Sequence, residues 1–257
     1  MTPQDADKAA ELLDAARKTA TPVQLDAKLQ PQSIDDAYAV QAAIARRHGG
    51  SAGWKIMAIV PAQREALKVD RPIAAPIFKT YIADSPARLP RKSFIAPMLE
   101  CEFDYVLGRD LPARSAPYSA EEVLAAVSVL RPAIEVVDAR VGRPVPTPLM
   151  LADCFSNGAL VLGPACKVWQ GLDLLTQGIA LKVDGKTVIT GDGAKIPGGW
   201  PVHALVTLAN NPPAWAGGLK AGQVITTGSC TGMPPLGNGK EVVADFGTLG
   251  DVRIAFT

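Results

Sequence analysis

The sequence lacks the features that would place it in several specialised classes of protein. It has only four cysteines among 257 residues and no C-x-x-C pair, which argues against a zinc site. No apolar run approaches the roughly 18 residues of a membrane span. Lysine and arginine total 26 against 25 aspartate and glutamate, so the net charge of +1 gives no electrostatic reason to expect a nucleic acid or an anionic membrane as a partner.

The remaining composition is that of an ordinary globular protein, with 48% hydrophobic and 20% charged residues. Residues 1–5 are polar and acidic, without the basic and apolar pattern of a signal peptide. We therefore expect a cytoplasmic protein with reduced thiols. The glycine clusters at 191–193 and 237–239 match no phosphate-binding loop and are interpreted as turns.

The first sixty residues carry helix signals. Thr2 followed by Pro3 is typical of a helix start. Ser33 with Asp36 three residues later resembles a capping box, and Gly49-Gly50 is expected to end that second helix. We predict a helical N-terminal segment over residues 1–60.

The rest of the chain is predominantly strand-like. Residues 98–107 alternate between apolar and mostly acidic side chains, the period of a half-buried strand. We further predict helices at 119–130 and 202–209, a hairpin over 179–190 with its turn at Asp184-Gly185, and strands at 134–137, 224–227, 241–246 and 252–256. A helical segment at 1–60 followed by a strand-rich body at 61–257 indicates the α+β class.

One face of the strand at 98–107 is acidic. Glu100 and Glu102 are two residues apart and leave the same face, and Asp104 extends the row. Like charges side by side on a half-buried surface are destabilising, so water, a basic partner or a cation must offset them. A hard divalent cation would suit such oxygen ligands, whereas the plainer alternative is a solvated strand face.

Glu135 lies in the apolar run Ala133-Ile134-Glu135-Val136-Val137. A glutamate in such a position is rarely fully buried unless it is paired or bound to a metal. A salt bridge to Arg131 or Arg140 is the alternative to a metal, and periodicity does not decide between them.

Several short segments, in order along nearly the whole chain, resemble the 2-keto-4-pentenoate hydratase family of the fumarylacetoacetate-hydrolase-like superfamily. They are residues 36–41 (DAYAVQ), 53–56 (GWKI), 100–102 (ECE), 108–112 (GRDLP), 132–140 (PAIEVVDAR), 152–153 (AD), 162–163 (LG) and 227–229 (TGS). Each segment is short, and together they are specific to this family.

The resemblance implies a mixed β-roll body of the fumarylacetoacetate-hydrolase C-terminal type. It implies that Glu100, Glu102 and Glu135 bind Mg²⁺ or Mn²⁺ and that Lys55 belongs to the active site. It also places Asp153 and Ser229 near the pocket. Family members are homo-oligomers that act on small 2-hydroxy-2,4-dienoates or 2-oxo-3-enoates from aromatic catabolism, so the implied partner is a small-molecule 2-oxo acid.

The sequence departs from the family pattern at an acid expected shortly after the lysine. This position holds Ile73, which cannot move protons. Asp104 is a second departure, and it either replaces the missing acid, adds a metal ligand or is a salt-bridged strand residue. Trp200 stands where the family has a histidine, and we assign neither His48 nor His203 to catalysis.

These observations favour a metal-dependent hydratase of 2-oxo-enoates. Two other enzyme hypotheses keep the enolate chemistry, namely decarboxylation of a 2-oxo-3-enedioate and C–C hydrolysis of an acylpyruvate. The isoleucine at position 73 supports a third hypothesis of another class, a non-catalytic metal-binding partner subunit.

Overall fold

The computed structural model describes residues 1–257, which form six α-helices and fourteen β-strands. The helices are α1 (Pro3–Thr19), α2 (Ile34–Arg47), α3 (Pro61–Leu67), α4 (Ala120–Leu124), α5 (Thr147–Ala152) and α6 (Pro201–Asn210). The strands are β1 (Gly53–Met57), β2 (Ile73–Ile77), β3 (Ile82–Asp84), β4 (Ala87–Leu89), β5 (Met98–Leu107), β6 (Leu111–Pro112), β7 (Val127–Val137), β8 (Asn157–Leu162), β9 (Gly178–Val183), β10 (Lys186–Asp192), β11 (Gly218–Leu219), β12 (Val224–Ile225), β13 (Glu241–Asp245) and β14 (Asp251–Phe256). None of the helices has the length and apolar character needed to cross a bilayer.

Two large sheets make up the body of the protein, and β6 and β11 pair in a separate two-stranded sheet. The main sheet has seven strands in the order β2-β1-β12-β5-β7-β8-β3, and the second has five in the order β10-β9-β13-β14-β4. Within the main sheet β1 runs parallel to β12 and β3 to β8, while the other neighbours are antiparallel. Strand β5 therefore lies at the centre of a mixed sheet.

The apolar face of β5 packs against the second sheet. Phe103 of β5 meets Phe246, just beyond β13, edge to face, with ring centroids 5.7 Å apart. Both rings are fully buried, and burial of each such side chain contributes about 1.5–3 kcal/mol. Because strand side chains alternate, the acidic residues of β5 point to the opposite face, on the side of the sheet where α1, α2 and α5 form a second core with Ile73 and Ala75.

The α+β class is confirmed, and so are the main start signals. Thr2 caps α1, and Ser33 and Asp36 form a complete capping box on α2. The hairpin of β9 and β10 turns at Asp184-Gly185 as expected.

Two predicted segments differ substantially from the structure, and the strand expected at 224–227 covers only Val224–Ile225. The helix expected at 119–130 is wrong beyond Leu124, because β7 already begins at Val127 and runs through Pro132. Pro132 is a residue that locally favours the end of a helix. The pairing of β7 with β5 on one side and β8 on the other outweighs this local preference. The helical segment expected over 1–60 also ends early, since Gly53–Met57 forms a strand inside the main sheet; the division of the chain at residue 60 stays a prediction.

Candidate active site

Three glutamates meet on the helix-covered face of the main sheet. Glu100 on β5 lies directly opposite Glu135 on β7 in the antiparallel pairing, and Glu102 follows two residues along β5. One carboxylate oxygen of each residue lies within 4.8 Å of the other two. Glu135 is completely buried and Glu102 is 2% exposed, so this face is not a solvated one. We refer to these three residues as the glutamate cluster.

The pKa values of the cluster reflect its burial and the repulsion between its like charges. Burial raises the pKa of Glu100 to about 7; the Lys55 ammonium opposes this rise, and Glu135 adds to it. Burial also raises the pKa of Glu102 to about 8, with Glu135 and Glu100 adding to the effect. Three carboxylates held this closely therefore favour a positive charge among them.

Lys55 of β1 supplies one such charge. Its Nζ donates hydrogen bonds to both carboxylate oxygens of Glu135, at 2.7 and 2.8 Å. Burial lowers the pKa of Lys55, but Glu135 and Glu100 outweigh burial and the net shift is upward. Glu135 is thus paired with a residue 80 positions away.

The salt bridges considered for Glu135 from the sequence are not formed. Arg131 pairs with Asp84 at 2.6 Å, and Arg140 pairs with Asp153 at 2.7 Å. Both arginines are therefore engaged away from the glutamate cluster.

Uncharged donors also hold two of the glutamates in place. Asn157 Nδ2 donates to Glu135 Oε1 at 2.8 Å, and the Gly228 N–H donates to Glu102 Oε2 at 2.7 Å. Each carboxylate oxygen can accept two hydrogen bonds or bind a cation besides. These donors orient the glutamates without neutralising them.

The cluster opens into a cavity of about 500 Å³, which we call the acidic cavity. Its wall includes Lys55, Glu100 and Glu102, two further cations, and the loop that follows β12. The cations are Arg143, whose Nη2 donates to Ser156 Oγ at 2.6 Å, and Lys195, whose Nζ donates to the Thr190 carbonyl at 3.0 Å. The cavity therefore combines a carboxylate cluster with separate positive groups.

Comparison with known proteins identifies the relatives of this chain. No protein-family model matches the sequence. The 2-keto-4-pentenoate hydratase of Paraburkholderia xenovorans strain LB400 is 31% identical over 265 residues, which cover 100% of this chain and 96% of that relative. The chain belongs to the 2-keto-4-pentenoate hydratase family.

Solved structures confirm the mixed β-roll fold. The 4-oxalocrotonate decarboxylase from Pseudomonas putida G7, complexed with magnesium and adipate, superimposes with a TM-score of 0.88 at 24% identity, covering 100% of this chain and 99% of that one. Fumarylpyruvate hydrolase from Pseudomonas aeruginosa, complexed with Mn²⁺ and pyruvate, gives a TM-score of 0.57 at 13% identity over 79% of this chain and 88% of that one. These likenesses establish the fold.

The structure of this hydratase-family member places the other predicted residues at different distances from the cavity. Ser229 lies in its wall, where Oγ accepts from the Gly232 N–H at 2.9 Å and donates to the Gly232 carbonyl at 2.8 Å. Asp153 lies outside the wall, buried in its ion pair with Arg140. Ser229 therefore lies in the loop beside Glu102, whereas Asp153 does not line the cavity.

Asp104 and Ile73 also lie outside the wall of the acidic cavity. Asp104 shares the face of Glu102 but is fully buried, and neither of its carboxylate oxygens has a hydrogen-bond partner. Burial raises the pKa of Asp104 well above its usual range, with Glu102 adding to the shift. Ile73 is fully buried in the core formed with α1 and α2.

Three contributors to the site were missed from the sequence: Arg143, Asn157 and Lys195. Asn157 starts β8 directly beside β7, so its reach toward Glu135 depends on the order of strands in the sheet. Arg143 and Lys195 come from segments far apart in the chain that meet only at the cavity. No local pattern distinguishes them from surface cations.

Proposed function

We propose that this chain is a metal-dependent hydratase of 2-hydroxy-2,4-dienoates or 2-oxo-enoates from aromatic catabolism. The observation that carries the proposal is the buried glutamate cluster with Lys55 at its edge, open to a cavity, in a member of the 2-keto-4-pentenoate hydratase family. The substrate is accordingly a small 2-oxo acid. Family membership also supports a homo-oligomeric assembly, which we propose alongside.

The donor set fits Mg²⁺ or Mn²⁺. Three carboxylates with one oxygen each within 4.8 Å of the others offer hard ligands and leave room for substrate oxygens. Glu100, Glu102 and Glu135 would hold the ion. When bound, such an ion supplies Lewis-acid chemistry that polarises the oxygens of a 2-oxo acid.

The residues of the chain hold and orient the reactants. Lys55 keeps Glu135 in place and presents an ammonium group at the cavity, where it binds the substrate carboxylate or donates a proton. Ser229 fixes the loop whose Gly228 N–H holds Glu102. Asp153 positions Arg140, whose guanidinium donates to the carbonyl of Asn157 at 2.8 Å and so supports the residue that orients Glu135.

Asp104 is proposed as the group that replaces the acid missing at Ile73. Its carboxyl group lies on the same face of β5 as that of Glu102 and has no hydrogen-bond partner, and we propose that it exchanges protons with the site by way of Glu102. We expect Asp104→Asn to lower kcat by about 10²–10⁴-fold, the usual contribution of an acid–base group. KM and the calorimetric Mg²⁺ affinity should stay within about threefold of wild type. A parallel loss of metal affinity would show instead that Asp104 supports the metal site.

The overall proposal is tested by an absorbance assay with product identification. Purified protein with Mg²⁺ or Mn²⁺ is mixed with 2-hydroxypenta-2,4-dienoate, and separately with a 2-oxo-3-enedioate. Hydration of the dienoate that stops on addition of EDTA and returns with the metal would support the proposal. A protein that binds metal but turns over no substrate would favour the non-catalytic subunit.

Decarboxylation of a 2-oxo-3-enedioate is the second candidate, and the cations of the acidic cavity favour it. Arg143 and Lys195 lie in the wall in addition to Lys55, which gives the cavity positive groups for a second carboxylate. A substrate with a single carboxylate would leave at least one of these three cations without a carboxylate to bind. Loss of CO₂ from the enedioate in the same assay would establish this reaction.

Arg143→Met tests whether the cavity binds a second carboxylate of the substrate. A charge-assisted hydrogen bond is worth about 1.5–3 kcal/mol, which corresponds to roughly 10–100-fold in affinity. We expect KM for the enedioate to rise by at least about tenfold and KM for the dienoate to change by less than about twofold. The exposed Arg88→Met variant is the control. Equal increases for both substrates would mean that Arg143 binds the carboxylate they share.

A further inference from the structure

A second cavity shares no wall residue with the acidic cavity. It measures about 340 Å³ and is formed by the last turn of α1, strands β3 and β4, and the start of β8. Its apolar wall consists of Ile82, Ala83, Leu89, Pro90, Phe94 and Ala159. We call it the Arg17 cavity, after the charged residue that distinguishes it.

Arg17 is a buried cation without a counter-ion. Its side chain lies in the wall of the cavity with only 8% of the residue exposed, and Nη1 has no hydrogen-bond partner. The guanidinium carbon lies 4.6 Å from the ring centroid of Tyr81 and 5.8 Å from that of Phe78. Ring faces stabilise a cation, but they accept no strong hydrogen bond, so the donors of Arg17 are left for another group.

The acidic side chains near Arg17 already have other partners. Asp14 pairs with Lys18 and His48, both at 2.7 Å. Asp153 pairs with Arg140. Asp138, which lines the cavity, accepts hydrogen bonds from two backbone N–H groups, those of residues 95 and 96. None of these carboxylates forms an ion pair with Arg17.

Arg140 adds to the excess of positive charge near Arg17. It also lines the cavity, but its own donors are used by Asp153 and by backbone carbonyls of residues 138, 153 and 157. Burial lowers the pKa of Arg17, and the neighbouring charge of Arg140 lowers it further. A buried, unpaired charge is destabilising in general, so an anion at this position would be favoured.

We propose that the Arg17 cavity is a binding site for a small monocarboxylate with an apolar body, held through the guanidinium of Arg17. The carboxylate would take the free donors of Arg17, since planar bidentate pairing with a guanidinium is the geometry such anions prefer. The apolar body would occupy the wall described above. Lys18 at the rim, already paired with Asp14, adds positive charge without taking part in the contact.

Calorimetry with benzoate tests the site, with benzamide as its neutral counterpart. We expect benzoate to bind wild type at least about tenfold more tightly than benzamide. Arg17→Met should weaken benzoate binding by at least about tenfold, Arg17→Lys should weaken it less, and the exposed Lys18→Met should leave it within about twofold. Circular dichroism and thermal melting verify that each variant is folded. Glu102→Gln, which alters the glutamate cluster, should bind benzoate as wild type does.

Three results would overturn the proposal. Equal affinity for benzoate and benzamide would show that charge is not recognised. Loss of benzoate binding in Glu102→Gln would place the ligand in the acidic cavity. Absence of benzoate binding to wild type would show that the cavity does not take such a ligand; a change in the subunit number of Arg17→Met by light scattering would then show that a carboxylate of a second copy of the chain meets Arg17.

Discussion

Glu102→Gln should bind Mg²⁺ at least about 100-fold more weakly than wild type. Loss of an outer-shell partner of a metal ligand costs about 10–100-fold in affinity, and loss of a ligand is expected at or above the upper end of that range. The substitution keeps the shape of the side chain and an oxygen that can accept the Gly228 N–H, now held at 2.7 Å. The change is therefore confined to one charge and one ligand atom.

Calorimetry measures the metal affinity, and thermal melting gives a second readout. A ligand that binds only the folded state raises stability by about 2.7 kcal/mol at 100 times its Kd, so excess Mg²⁺ should raise the Tm of wild type and have little effect on the variant. Glu241→Gln, an exposed glutamate on β13 of the second sheet, is the matched control. Wild-type Mg²⁺ affinity in Glu102→Gln would exclude this residue as a ligand.

Local periodicity was sufficient to predict the strand that carries the site. The alternation over residues 98–107 places Glu100 and Glu102 on one face, and β5 covers that range. It also gave the apolar face, which packs on the second sheet. Capping chemistry at Ser33 was likewise predictable, because its partner Asp36 lies three residues away.

Tertiary pairing decided what the sequence could not. The Arg131-Pro132 pair has the local character of a helix end, yet β7 passes through it because β5 and β8 bind both of its edges. Lys55 replaces the two sequence-near arginines as the partner of Glu135, although β12 and β5 lie between β1 and β7 in the sheet. Local periodicity cannot indicate a contact across two intervening strands. The same holds for Arg143 and Lys195, whose proximity depends on the path of two loops.

Lys55→Met is expected to abolish most turnover while retaining the metal. The methionine fills similar space but removes the ammonium group that contacts Glu135 at 2.7 and 2.8 Å. We expect kcat to fall by about 10²–10⁴-fold, the usual contribution of a group that donates a proton or orients a proton donor. Mg²⁺ affinity should be unchanged or higher, because the glutamate cluster loses its nearest competing cation.

Stability separates the catalytic role of Lys55 from a structural one. Breaking a buried ion pair by removing one partner generally costs about 3–5 kcal/mol, so metal-free Lys55→Met should melt earlier than wild type. Saturating Mg²⁺ would offset the unpaired charge of Glu135 and restore much of that loss. The exposed Lys186→Met variant on β10 controls for the loss of a surface lysine. If the metal-loaded variant regains both its Tm and wild-type kcat, Lys55 only balances charge; if it regains its Tm but stays inactive, Lys55 acts on the substrate.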